Sequence, residues 1–309
     1  MTTPPSPYPE VSVVIATRNR PELLTKAVDA ILGQSYPGAI DITVVYDQTE
    51  VDTNRNVEAP GRVVRAIANS RQPGLPGARN CGMGNSFGEI VAFCDDDDEW
   101  LPGKLLRQVD ELRAHPESAF VTTGIRVTFD GENHDRPSPV STLSVEHLLH
   151  DRTTEAHPSS FLFRRDLLGT IGLVDEDIPG GYSEDYDFLL RAAKATTVRC
   201  IAEPLTLVRW HQASFFSDRW AMIVDAQRYL LNKHPEFHEH RKAEARIRGQ
   251  VAFALAAIGN RRKECLREVG AVLGRWPLER RWPVALAVVS KAIKPGTALK
   301  LAHKAGRGI

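Results

Sequence analysis

The chain has 309 residues, 42% hydrophobic and 25% charged, an ordinary globular balance with room for one large domain or one domain plus an appendage. Its 39 basic residues equal its 39 acidic ones, so net charge points to no polyanionic partner and nucleic acid is not expected as a ligand. No run of about 18 apolar residues occurs, which excludes a spanning helix. The Pro-, Ser- and Thr-rich residues 1–10, read as a disordered N-terminus, lack the charged and apolar regions of a signal peptide.

In chain order, a β-branched run at 11–16 has the pattern of a buried parallel strand. Pro21 supplies a helix start, and Leu23, Leu24, Ala27, Ala30 and Ile31 recur at helical spacing. A second strand at 42–46 ends on Asp47, and a third lies near 62–67. A helix at 77–86 leads to a fourth strand, 90–94, which runs into four consecutive aspartates at 95–98. Pro102 opens a helix reaching about His115. Strands at 120–129 and 160–163, a helix at 184–195 and strands at 198–201 and 206–209 follow. Beyond about 216 the pattern is wholly helical, with spans at 218–233, 239–258, 261–273 and 284–293. The expected fold is α/β: a mixed, mainly parallel sheet with helices on both faces over 11–215, then a helical extension over 216–309. The four cysteines are widely spaced without a CxxC pair and read as reduced thiols of a cytoplasmic protein.

Charge is unevenly spread. Residues 241–309 hold 16 Lys and Arg against four Asp and Glu, and the rest of the chain carries the matching acidic surplus. Apolar residues recur among these cations (Val251, Leu255 and Ile258), and Trp276 and Trp282 flank a Pro-containing turn. One reading is a basic surface lying on the inner face of an anionic membrane. The other is that the helices pack on the preceding domain or on a second subunit of a homo-oligomer.

Ligands of open parallel sheets bind at the carboxyl ends of the strands. Three polar clusters fall there: Thr17, Arg18, Asn19 and Arg20; Asp47; and the run 95–98. Four adjoining carboxylates make either a solvated turn capping the next helix or a diphosphate site bridged by Mg²⁺ or Mn²⁺. Glu184 and Asp185 follow the segment PGGY at 179–182 and stand where a carboxylate can cap a helix. His234, His238 and His240 lack a structural zinc spacing and read as a solvated linker.

The segment FCDDDDEWLPGKL at 93–105 closely resembles the DxD segment of family 2 glycosyltransferases, which have the GT-A fold. Four further segments resemble that family in order: VSVVIATRNR at 11–20, VVYD at 44–47, GARN at 77–80 with GEI at 88–90, and SEDYDFLLR at 183–191. The resemblance covers roughly residues 10–215. It implies that Thr17, Arg18 and Asn19 line the nucleotide pocket, that Asp47 accepts from the base, and that Arg79 meets the diphosphate or the base. Tyr46 stands where the family usually has a second aspartate. The resemblance makes Asp95 a ribose contact, Asp97 a metal ligand, Asp98 an extra carboxylate and Asp96 a spectator. Asp185 becomes the general base, with Glu184 and Trp100 as secondary residues and His211 as a metal or diphosphate contact. The segment HPSSFLFR at 157–164 is similar to the family's acceptor-side strand. The implied activity is metal-dependent inverting transfer of a hexosyl or N-acetylhexosaminyl group from a nucleotide sugar, with UDP the expected nucleotide. The acceptor is a hydroxyl of a glycan, a lipid-linked sugar or a small molecule. The residues alone leave open an inert sugar-nucleotide-binding protein and a nucleotidyltransferase, although the loop TRNR lacks the glycines of the latter.

Overall fold

Runs rich in Val and Ile alternate with amphipathic helices through the first part of the chain, and the computed structural model describes residues 8–129, 131–210 and 219–304. The elements begin with β1 (Val11–Thr17), α1 (Pro21–Leu32), β2 (Ile40–Tyr46), β3 (Val57–Ala59), β4 (Arg62–Ala68) and α2 (Leu75–Gly84). Next come β5 (Ile90–Asp95), β6 (Glu99–Trp100), α3 (Lys104–Ala114), β7 (Phe120–Phe129), β8 (Glu132–Arg136), β9 (Thr142–Leu143) and α4 (Val145–His150). They are followed by β10 (Leu162–Arg164), α5 (Leu168–Ile171), α6 (Glu184–Ala195) and β11 (Val198–Arg209). The remainder is helical: α7 (Trp220–Lys233), α8 (Glu236–Glu239), α9 (Arg241–Ile258), α10 (Arg262–Arg275), α11 (Arg281–Val289) and α12 (Pro295–Lys304).

The strands form one mixed sheet in the order β3-β4-β2-β1-β5-β10-β7-β11-β6, with β8 on β7 and β9 on β11. The long pairings, β4 with β2, β2 with β1, β1 with β5 and β7 with β11, are parallel; the short ones are antiparallel. Side chains alternate across the pleat. Val13, Ile15, Ile42 and Val44 face Leu24, Ile31, Leu105 and Val109 of α1 and α3. Val14 and Val45 face α2, whose Gly82 leaves no room for a side chain: a Cβ there would lie 2.3 Å from Val14 Cγ1. Phe188 brings α6 onto Phe93, Phe120 and Phe163.

Two compact units result. One holds the described residues of 8–145, 153–176 and 184–210; the other holds 146–152, 177–183 and 219–304. A single division near 215 therefore misses two inserts that belong with the C-terminal helices. In that helical unit Trp220 meets Phe253 edge to face at 5.6 Å, and Val224, Val251, Leu255, Cys265, Val269 and Ala285 form the core. Val251 and Leu255 are thus internal and cannot be the apolar part of a membrane-facing surface. No helix among the described residues is long and apolar enough to cross a membrane.

Other differences are local. The strands expected at 198–201 and 206–209 are one strand, β11, with register shifts around Pro204. Residues 8–10 are not disordered: Tyr8 packs edge-on against Tyr36 at 5.6 Å, and the Tyr36 hydroxyl donates to the Pro9 carbonyl at 2.6 Å. Residues 1–7 lie outside the described set. All four cysteines are buried and free.

Candidate active site

Parallel pairing fixes the location of the site. Register places Thr17 beside Tyr46, and Ala16 beside Asp95, so the loops after β1, β2 and β5 leave the sheet together at the carboxyl ends of these strands. After β1 the chain turns through Asn19, which has a positive φ of 57°, and its side chain accepts from Thr49 Oγ1 at 2.9 Å. Arg18 and Asn19 are exposed. Asp96, the expected spectator, is buried and holds this loop down. It accepts from Thr17 Oγ1 at 2.7 Å, from Arg20 at 3.0 Å and from the Arg18 backbone N–H at 3.4 Å. Burial raises its carboxyl above the ordinary value, against the pull of Thr17 and Arg20.

Asp47 follows β2 and accepts from Asn69 Nδ2 at 2.9 Å, Gln48 Nε2 at 2.9 Å and the Gly74 N–H at 3.1 Å. Burial acts to raise its carboxyl, but these hydrogen bonds bring it below the ordinary range. Asp47 is therefore a fixed anion at the strand end, and its oxygens also organise the loop at 69–74.

The acidic run closes as a turn, with the Asp98 N–H donating to the Asp95 carbonyl at 3.2 Å. That turn brings positions 95 and 98 together and sends 97 outward, where Asp97 pairs with Arg20 at 2.7 Å. Asp98 is buried, accepts from Ser159 Oγ at 2.6 Å and lies 3.3 Å from His157 Nδ1. Burial, with Asp95 and Asp97 beside it, pushes its carboxyl well up. Among the described residues, Asp95, Asp98 and His157 form a group whose ligand atoms all lie within 4.8 Å of one another. Two carboxylates and an imidazole are a donor set that would fit a divalent cation such as Mn²⁺ or Mg²⁺. The expected ligand Asp97 is not in this group, and His211 lies outside the described residues. His157 stands 59 residues beyond Asp98, so no local spacing in the sequence couples the two.

Arg79 departs most from expectation. It is 2% exposed, in a helix kept close to the sheet by Gly82, while Gly77 gives room to the Gln72 carbonyl of the preceding loop. One guanidinium nitrogen donates to Asp95 at 2.6 Å and the other to Glu184, with the Phe93 ring 5.2 Å away. Arg79 thus joins the acidic turn to the first residue of α6, and both carboxylates hold its charge in place. Burial pushes Glu184 up to about 8 while Arg79 draws it down, and its Oε2 has no hydrogen-bond partner among the described residues. Asp185, next in the chain, is only half-buried. Asp187 is fully buried and bound to Arg191 at 2.8 Å, a structural role. Trp100 is internal as well: its indole N–H donates to the Ser159 carbonyl at 2.9 Å, and the Lys104 ammonium nitrogen lies 3.8 Å over its ring. It supports the Ser159 segment from behind and does not line the site.

Arg20 pairs with Asp96 and Asp97, and Arg79 with Asp95 and Glu184; with Asp98 and Asp185 beside them, six carboxyl groups are crowded at two arginines. The raised values of Asp96, Asp98 and Glu184 reflect burial and that crowding, which a bound cation would relieve. The family model for glycosyl transferase family 2 matches residues 12–172, which carry all of this apparatus except α6 and β11. The chain belongs to glycosyl transferase family 2. An uncharacterised glycosyltransferase of Bacillus subtilis is 29% identical over 196 residues, covering 62% of this chain and 70% of the relative. An Escherichia coli relative named UDP-Glc:alpha-D-GlcNAc-diphosphoundecaprenol beta-1,3-glucosyltransferase is 30% identical over 127 residues, covering 37% of this chain and 50% of that one. Several such relatives are matched over less than two thirds of their own length. Among solved structures, S. aureus TarS with UDP-GlcNAc superposes with a TM-score of 0.60 at 16% identity, covering 96% of this chain and 92% of that one. A Pyrobaculum calidifontis mannosyltransferase with GDP-Man and Mn²⁺ gives 0.56 at 18% identity, covering 94% and 83%. The fold of this family 2 transferase is accordingly GT-A, with C-terminal helices.

Proposed function

We propose that the protein is a metal-dependent inverting glycosyltransferase that moves a sugar from a UDP-sugar to a hydroxyl of a lipid-linked or polysaccharide acceptor. The observation that carries this reading is the Arg79 bridge between Asp95, in the cation-binding group, and Glu184, beside Asp185. It ties the leaving-group side of a displacement to the side on which a base is needed. Asp47 would accept from the base ring N–H, and Thr17, Arg18 and Asn19 would border the nucleotide. Asp95, Asp98 and His157 would hold Mg²⁺ or Mn²⁺, which supplies charge neutralisation for a departing diphosphate. Asp185 would take the proton from the acceptor hydroxyl as that oxygen attacks the anomeric carbon and the bond to the diphosphate breaks. Attack from the side opposite the leaving group gives inversion. The E. coli relative acts, by its name, on a diphosphoundecaprenol-linked sugar, which supports an acceptor of that class. The Mn²⁺ in the mannosyltransferase structure supports a divalent ion, and the UDP-GlcNAc of TarS a uridine donor.

The test is calorimetric titration of UDP with Mn²⁺, with Mg²⁺ and with EDTA, followed by a donor screen reading released nucleoside diphosphate. UDP should bind in the micromolar to millimolar range usual for substrates, and more weakly in EDTA. Affinity indifferent to EDTA, or GDP bound more tightly than UDP, overturns the corresponding part of the reading.

A further inference from the structure

Helix α10 presents cations and leucines together on one exposed face. Its buried side carries Cys265, Val269 and Val272, while Arg262, Lys263, Leu266, Arg267, Gly270, Leu273 and Gly274 are exposed. On a helix with 3.6 residues per turn these positions make one continuous stripe. Leu266 and Leu273 are 43% and 40% exposed, and Leu278, in the turn that follows, is 74% exposed beside Arg280. No acid lies in the stripe. The helix's two glutamates are occupied elsewhere: Glu264 by Arg261 and Arg228, Glu268 by Arg228 and Arg248. Glu244 and Glu279 are likewise paired, with Arg248 and Arg275 and with Arg281. The acids of the stretch 241–304 are therefore consumed internally, and the surplus positive charge is left at the surface.

We propose that this face of α10, continued by Leu278, docks on an anionic lipid bilayer without spanning it. The leucines would enter the headgroup boundary while Arg262, Lys263, Arg267 and Arg280 meet lipid phosphates. Charge decides between this occupant and a second copy of the chain. Two such faces opposed to each other would bring like charges together with no carboxylate between them. The glycines agree with a flat partner. A Cβ at Gly270 or Gly274 would meet nothing within 4 Å among the described residues, so packing against these residues requires neither glycine. The membrane reading thus moves from Val251 and Leu255, which are internal, to residues that present their side chains outward. It deepens the proposal of a lipid-linked acceptor, and it is testable separately because plain vesicles contain no acceptor.

The experiment is co-sedimentation of the full chain with vesicles of phosphatidylcholine, with and without phosphatidylglycerol. The protein should pellet with the anionic vesicles only. It should be released as the Debye length shrinks from about 10 Å to about 3 Å with added salt. Two variants divide the contributions: Arg262→Glu/Lys263→Glu/Arg267→Glu, and Leu266→Ser/Leu273→Ser/Leu278→Ser. Each cation near an anionic surface is worth roughly fivefold in partitioning, so the charge variant should bind at least about 10²-fold more weakly. The leucine variant should bind more weakly while keeping its salt dependence. Circular dichroism melts serve as the folding control, since every altered residue is exposed. Equal pelleting with neutral vesicles, or wild-type pelleting by both variants, overturns the proposal. So does a concentration-dependent dimer that the leucine variant abolishes, which would give the face to a second copy.

Discussion

At the residue scale the site depends on Arg79, whose role follows from its burial. Lysine in its place supplies one point charge where the guanidinium fork serves two carboxylates, so Arg79→Lys should not be conservative. Arg79→Met leaves Glu184 buried against Asp95 without a counter-charge, and should cost on the order of 3–5 kcal/mol in urea denaturation. Adding Glu184→Gln should return part of that loss, whereas additive losses would mean that the pair is not coupled. Asp185→Asn concerns chemistry instead: turnover should fall about 10²–10⁴-fold with UDP affinity nearly unchanged. Normal turnover in that variant would require a different base, with Glu184 the next to examine. Lys104 gives a pH test. It is fully buried over Trp100, and desolvation lowers its ammonium from 10.5 to about 7. The unfolded chain therefore holds the proton up to 10.5 while the folded chain releases it near 7, so stability should rise with pH across that window and stay level below it. Lys104→Met should lose that rise, and parallel urea-midpoint curves for the two proteins would show that Lys104 does not titrate there.

At the scale of elements, two glycines in helices call for opposite outcomes. Gly82 in α2 sits where a Cβ would approach Val14 Cγ1 to 2.3 Å and Val45 Cγ2 to 3.1 Å. Gly82→Ala should therefore destabilise by about 1–3 kcal/mol through overpacking, in spite of alanine's better helix propensity. Gly270 in α10 has no described residue within 4 Å of a Cβ placed there, so Gly270→Ala should stabilise by up to about 1 kcal/mol. Melting curves that moved in the same direction for both would break the argument. The pair also shows what was legible. Strands β1, β2 and β5 were readable because buried parallel strands are continuous apolar runs, and the amphipathic period gave α1, α3 and α6. Helix α2 carries a weak periodic signal, because small residues let it be buried on nearly every side, and Arg79 consequently read as a ligand contact and not as an internal clamp. The aspartates were legible as a site, but not their division of labour. The turn that joins Asp95 to Asp98, and the return of His157 beside them, depend on tertiary pairing of β10 with β5 that no local pattern encodes.

At the scale of the whole molecule, the C-terminal helices are not a detachable tail. Helix α7 contributes Ile223 and Val224 to a core whose other side is Val251, Phe253 and Leu255 of α9, so the helices are partners in one unit. Two short segments from inside the preceding span belong to the same unit. Arg246 of α9 donates to the carbonyls of Leu148 and Leu149, and a side chain added at Gly180 would collide with Met222 of α7. A chain cut after Lys233 removes α8 to α12 and leaves these surfaces uncovered. Each large apolar side chain returned to water costs about 1.5–3 kcal/mol, and several are affected at once, more than a typical domain stability of about 5–15 kcal/mol can absorb. The truncated chain should be recovered mainly as aggregate, and any soluble fraction should melt at a lower temperature with reduced helical circular dichroism. A soluble truncated chain with the full protein's melting temperature and its UDP affinity would show that the first unit stands alone. In that case the inserts at 146–152 and 177–183 would need no partner, and the helical unit would be an appendage whose only role is at a surface.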